Sequence, residues 1–506
     1  MNKKLEKVYY YLLLTLVMIQ PVLDIRWLND GTLPDIVGFT IPTLVRIGLI
    51  MILAVLSFFV IKFNKKYWIL IAYLALIGLY FIGHHYNCLQ FHSVVPGDFN
   101  YSLISELLYI VRMCIPISVI YFTYNSKINK ETFEKCVIGI AMVMSLSIVL
   151  TNLFMISYGS YTGELISGNI IDWFIHQEDF ISNQLASKGW FYMSITSTVM
   201  VLTYPYLFYV FAVKKKVWNF LAILIQAIAL LMIGTKATAF SVIIVSVLMA
   251  VIYLVTSILK HDTGLNRWVC IGMIVIIVVS FGVYRVSPST MKMQFDEQYS
   301  EEMDEEDSNN ERKEPENETE EELIRFFNEN YKDLSIKTQF LEDSYPYQYD
   351  PVFWYDLYKN NPPSVTMQNR TVEEKMLQRV KEINNNKGDN WFGIGFTRTS
   401  HIYNLEKDFL YQYYSVGVLG VILLLGPYIG IIVLMIVLML LKFKEKATMY
   451  NCSFVLGVGL SCFVAYYSGN AIENLGITIW LGFMLGFLLK SNFRKEIKSC
   501  ENNETE

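Results

Sequence analysis

The chain is short of charge: only 17% of its 506 residues are Asp, Glu, Lys or Arg, while 54% are hydrophobic. A soluble chain carries roughly a quarter charged residues. The charges present are clustered and leave long uncharged stretches, which excludes an ordinary soluble domain. Alternating barrel strands are missing too, so any membrane-crossing segments are expected to be helices, whose backbone groups pair internally. The first apolar stretch lacks a small-residue cleavage site and reads as a span rather than a signal peptide. Of the seven cysteines, only Cys88 is expected on the outward side, so no intramolecular disulfide is expected there. No internal repeat is visible, which weakens an inverted-repeat transporter. His84, His85 and His92 with Cys88 match no standard zinc spacing, and no metal or other cofactor is expected. The net charge of −5 comes mostly from one acidic tract, and no nucleic-acid partner is expected.

What is present is a series of apolar runs long enough to cross a bilayer. They fall near 8–23, 41–62, 67–83, 103–123, 137–157, 191–213, 219–235, 237–259, 268–287, 409–441, 451–469 and 476–490. The run 409–441 is too long for one upright helix and is expected to tilt or to begin above the membrane. Every second connection is basic, from Lys3, Lys4 and Lys7 through Lys214, Lys215 and Lys216 to Arg494, Lys495 and Lys498. Lys and Arg concentrate on the cytoplasmic side. The expected fold is therefore all-α and polytopic, with about twelve spans and both termini in the cytoplasm.

Its expected parts are nine spans in 1–287, a large extracytoplasmic loop over 288–408, three spans in 409–490 and a tail over 491–506. The loop opens with an acidic tract, 296–322, which reads as a solvated, disordered spacer. The remainder, 323–408, is expected to hold short helices. In TVEEKMLQRVKEI, for example, Val372, Met376, Leu377, Val380 and Ile383 recur at helical spacing. The aromatic run YPYQYDPVFWYDLY offers faces that stack on sugar rings, or equally the core of a small subdomain.

Charge inside a span marks function by default. Arg46 and Arg112 lie in the outer halves of their spans, Lys236 at the outward tip between two spans, and Glu106 is the clear acid at similar depth. Cations outnumber carboxylates there, so a lipid-linked phosphate or pyrophosphate is the natural anion to complete the site; snorkelling to headgroups is the plainer reading. A second constellation, WFGIGFTRTSHIYNLEKDFLYQYYSVGVLG (391–420), holds Arg398, His401, Glu406, Lys407 and Asp408 just before the tenth span. A histidine at the membrane surface among such groups can act as general base for a hydroxyl. The glycines at 393 and 395 are expected to permit a tight turn rather than to bind a nucleotide.

These residues resemble the O-antigen ligase and O-antigen polymerase superfamily, in particular its Gram-positive capsule and cell-wall polysaccharide branch. LLMIGTKATAFSVIIV (230–245) is similar to the family's Gly-Thr/Ser-Arg/Lys turn and small-residue helix. WFGIGF, His401 and the later Gly417 and Gly420 resemble its Gly-x-Gly, polar stretch and Gly-x-x-Gly helix. ASKGWFYMSITSTVMVLTYPYL (186–207) is similar to the segment after the family's earlier outer loop. The resemblance implies a glycosyltransferase without a metal, acting on an undecaprenyl-diphosphate-linked oligosaccharide. The acceptor would be a glycan or a lipid-linked saccharide, with membrane lipid around it and other polysaccharide-assembly proteins as candidate partners. Lys236, Arg112, Arg46 and Arg398 would bind pyrophosphate, and His401, Glu406 or Asp408 would take the acceptor's proton. The sequence departs from the family's ligases in having Lys236 for Arg and His-Ile-Tyr-Asn for His-Asn; Glu406 and Asp408 match an acid-x-acid pair of the Gram-positive relatives. The rival classes are a flippase or other transporter and a non-catalytic scaffold.

Overall fold

The computed structural model describes residues 3–29, 40–61, 65–95, 99–309, 312–402 and 405–494. Beyond Arg494 the expected tail lies outside the described residues. The chain is an all-helical, multi-pass membrane protein; among the described residues the only β pairing is three isolated bridges. Among the described residues, ten helices are long and apolar enough to cross a membrane. Two shorter ones, Lys3–Met18 and Val217–Met232, occupy the positions of the other two expected spans.

Side-chain oxygens start many of these helices by accepting a first-turn amide: Thr40, Ser102, Asn129, Asn266, Thr448 and Asn474 do so. Apolar patterning then sorts them. In Ser194–Lys214, 94% of the apolar window is buried, against 22% in Ile41–Val60. A helix apolar all round is central, and Thr198–Lys214 accordingly packs against Met449–Ser468, Val217–Met232 and Lys130–Leu153. The final helix, Leu475–Phe493, packs chiefly on Leu103–Asn125.

Asp408–Leu441 is two helices across a break at Gly417, whose φ and ψ are 67° and −178°. The loop backbone crosses there. A Cβ on Gly417 would lie 2.4 Å from the Phe392 nitrogen, and one on Gly393 2.4 Å from the Ser415 carbonyl oxygen. The carbonyls released by the break are taken up: Ile394 and Gly395 amides donate to Tyr414 and Ser415 (2.8 and 3.1 Å). The Tyr80 hydroxyl donates to Val416 at 2.5 Å. Backbone groups at this depth need such partners.

Short helices pack together within 320–384. Helices Glu320–Asn330, Pro351–Asn360 and Asn369–Asn384 enclose Phe326, Phe327, Tyr345, Tyr347, Trp354, Val372, Met376, Leu377 and Val380. Most of the aromatic run is thus core; the Trp354 indole donates to the Tyr345 carbonyl and the Tyr345 hydroxyl to Asp350. The acidic tract differs from the disorder expected of it. Its first half continues the helix Pro288–Asn309 and its last acids open Glu320–Asn330, where negative charge suits a helix N-terminus. It is tied down by Asp296 on Lys236, by Asp304 accepting the Ser364 amide (2.9 Å) and by Glu318 on Lys359.

Candidate functional site

The sequence-designated residues gather on the face that carries 288–408, though in different surroundings. Glu106 is the hub. Its carboxylate accepts the backbone amides of Phe396 and Thr397 (2.9 and 2.7 Å) and the Thr397 hydroxyl (2.7 Å), and meets His84 Nε2 at 3.0 Å. The other His84 nitrogen lies 2.6 Å from the Phe392 carbonyl, which only accepts, so Nδ1 donates. Glu106 and His84, both fully buried, therefore fix the start of the short helix Phe396–Ile402. Glu106 thus anchors this helix, and Cys88 and His84 belong to this packing. Among the described residues no cluster of His, Cys, Asp or Glu has the arrangement of a metal site.

That helix points two residues in different directions. Arg398 is buried: it donates to the Phe99 and Ile394 carbonyls (3.0 and 2.9 Å), with its guanidinium 4.0 Å from the Phe91 ring centre. His401 is exposed, its ring against Phe99. It lines an open cavity of about 450 Å³ with Gln339, Asp343, Ser344, Ser400, Glu406 and Asn470. Glu406 in turn is held by Arg370, whose Nε donates at 3.1 Å and whose Nη1 reaches the Tyr467 carbonyl. Tyr403 and Asn404, of the His-Ile-Tyr-Asn stretch, lie outside the described residues.

Asp408 is fully buried and accepts the Ile472 amide at 2.7 Å, clamping the 469–474 turn to the start of the long helix. Arg46 is buried against Asp24, Nη2 to Oδ1 at 2.5 Å, and Gln20 at 2.7 Å. The excess of unneutralised cations expected from the sequence is not found at Arg46, where Asp24 supplies the counter-charge. Arg112 is half-buried beside Tyr109 and lines a cleft of about 20 Å³ with Gln412 and Glu473. That is room for one water, not for a phosphate. In the same cluster the Tyr109 hydroxyl donates to Glu473 at 2.6 Å.

Lys236 opens the helix Lys236–Ile258 behind the Thr235 cap. Its ammonium is 3.2 Å from Asp296 and stays one-third exposed. Tyr161 adjoins this turn. Its hydroxyl donates to the Gly234 carbonyl (2.9 Å), and the charges of Asp296, Arg370 and Glu406 all bear on it. Two groups thus carry exposed charge, His401 and Glu406 with Arg370, and Lys236 with Asp296 beside Tyr161, whereas Arg46, Arg112, Arg398 and Asp408 are buried or half-buried among protein partners.

Tyr161, Arg370, Glu373 and Glu473 escaped sequence reasoning. Arg370 reaches Glu406 across 36 positions, and no local pattern announces such a contact. Glu473 was visible only as one acid in a short turn.

No match was found among curated proteins or solved structures. The family model described as "O-antigen ligase like membrane protein" matches residues 6–495, nearly the whole chain. The apolar helical bundle, its large polar insertion and this match lead to one assignment: the chain belongs to the O-antigen ligase like membrane protein family.

Proposed function

We propose that the chain is a membrane glycosyltransferase of polysaccharide assembly, as in capsule or cell-wall synthesis. In this reading it polymerises or ligates saccharides carried on undecaprenyl diphosphate at the outer face of the cytoplasmic membrane. Family membership gives the coarse role, glycan assembly in a membrane. The observation that carries the finer reading is the cavity holding His401 and Glu406, together with the one-third-exposed Lys236 in the turn that Tyr161 binds. The basic connections support an outward orientation for this face.

In the proposed reaction an acceptor hydroxyl in the cavity attacks the anomeric carbon of the donor sugar. The new C–O bond forms as the bond from that carbon to the diphosphate oxygen breaks, with inversion, and undecaprenyl diphosphate leaves. Lys236 stabilises the charge developing on the diphosphate. The acceptor's proton passes to His401, whose ring makes no hydrogen bond among the described residues and lines the cavity; Glu406 is engaged by Arg370, and Asp408 is fully buried. Gathering two membrane-bound or glycan reactants in one geometry supplies much of the rate. Arg46, Arg112 and Arg398 then act as scaffold, not as diphosphate ligands.

A transporter would use its broken helix to bind substrate or ion through freed carbonyls. Here the carbonyls of Tyr414, Ser415 and Val416 are already taken by protein donors, which favours the enzyme.

The test is turnover of a lipid-linked repeat unit by purified variants. A charge-assisted contact is worth roughly 1.5–3 kcal/mol, so Lys236→Ala is expected to slow transfer about 10- to 150-fold. Lys236→Arg should keep much of the rate, and His401→Ala should lower kcat without raising the donor KM. Wild-type transfer by a well-expressed Lys236→Ala protein would overturn the assignment of Lys236.

A further inference from the structure

One carboxylate holds two lysines beside this site. Asp296 Oδ2 is 3.2 Å from Lys236 Nζ, and Asp296 Oδ1 is 3.2 Å from Lys292 Nζ. Lys292 also lies 5.2 Å from the centre of the Tyr161 ring, the same tyrosine that donates to Gly234 next to the Lys236 turn. The side chains of Lys236, Lys292 and Asp296 are 33%, 28% and 37% exposed, so water reaches all three. Two ammonium groups, one on each oxygen of a single carboxylate, are spread as they would be around two non-bridging oxygens of one phosphate. Ion pairs this exposed contribute little, and a diphosphate brings more negative charge and more acceptor oxygens than a carboxylate does.

We propose that Lys292 is a second cation for the donor's diphosphate and that Asp296 is an internal stand-in for it. The diphosphate displaces Asp296, so the Pro288–Asn309 helix guards the donor site. This rests on the reading of Lys236 as a diphosphate ligand. No covalent bond changes in the step: the two lysines exchange carboxylate oxygens for phosphate oxygens, and Asp296 turns to water. The rest of the helix fits the role. Glu297, Glu301 and Glu302 are exposed along it and repel an arriving anion, which moves the helix aside. Asp304 anchors its far end to the Ser364 amide, where a hinge would sit. The Pro288–Asn309 helix then acts as a gate that loosens when substrate charge arrives.

The full-length protein in proteoliposomes tests this through initial rates against lipid-linked donor and through inhibition by inorganic pyrophosphate. With Asp296→Asn the donor KM and the pyrophosphate concentration for half-inhibition should both fall, roughly two- to fivefold, because a weak exposed pair no longer competes. Lys292→Ala should raise both about tenfold, the lower end for a charge-assisted contact. Asp296→Glu, which keeps the competing charge, should behave like wild type. If Asp296 were only a staple for its helix, Asp296→Asn would melt earlier and its KM would stay or rise; that result overturns the guard. If Lys236→Ala is inactive while Asp296→Asn and Lys292→Ala match wild type, the guard falls and the diphosphate reading stands. If Lys236→Ala turns over normally, both fall.

Discussion

Glu373 is buried on the Asn369–Asn384 helix, and its Oε2 has no partner. Burial, reinforced by the charge of Glu406, pushes its carboxyl up to about 7 against the opposing pull of Lys337, Arg370 and Lys407. The folded state therefore keeps a proton that the unfolded chain releases near 4.5. Stability from this group is complete below that pH and is lost as pH rises to about 7, by an amount on the order of 3 kcal/mol. Melting curves from pH 5 to pH 8 should show wild type losing stability through this window and Glu373→Gln losing much less; parallel slopes would contradict the account. No sequence pattern distinguished Glu373 from Glu374, its exposed-side neighbour paired with Lys407, because only the tertiary fold decides which acid is enclosed. The same limit hid the partners of Arg46 and Arg398. Their depth in the chain was legible, but Asp24 and the Phe99 carbonyl become neighbours only when helices pack. His401 and Glu406 were legible as a pair because chain proximity already brought them together.

At the scale of elements, the position of every long apolar helix was readable, since uninterrupted apolar runs leave little freedom in where a span lies, whereas the polar helix Pro288–Asn309 was not. The break at Gly417 was not. Hydropathy is blind to a crossing backbone, and the long run looked continuous. Gly417 adopts a conformation open essentially to glycine alone, costing other residues about 1–3 kcal/mol, and its missing Cβ makes room for the Phe392 nitrogen. Gly417→Ala is thus expected to lower the melting temperature clearly and to reduce turnover, by displacing the segment that leads to His401. Gly430, in the same long helix with open space around it, is the control. Gly430→Ala should be neutral or stabilise by up to about 1 kcal/mol, the helix preference of alanine over glycine. Similar melting of the two variants would show that the crossing is not a constraint. The aromatic run also took its plainer reading, as core, because stacked neighbours in a compact segment bury one another before a ligand can use them.

For the whole molecule, the architecture was legible from charge clustering and span length, and the family from a few short motifs. The arrangement of the site was not, since it depends on how the loop folds back onto the bundle. The proposed orientation rests on the alternation of basic connections. In a Cys88-free background, cysteines at Ser93 and Ser364 should react with an impermeant thiol reagent in intact cells, and one at Lys215 should not. The reverse pattern would put the cavity in the cytoplasm and remove the outward site. Glycosyl transfer from a lipid diphosphate is tested by purified protein given a labelled undecaprenyl-diphosphate-linked repeat unit. Wild type should convert label into longer lipid-linked or acceptor-linked glycan and release undecaprenyl diphosphate in equal amount, with His401→Ala failing to do so. Label that stays in single repeat units, in folded protein supplied with donor and acceptor, would contradict the account.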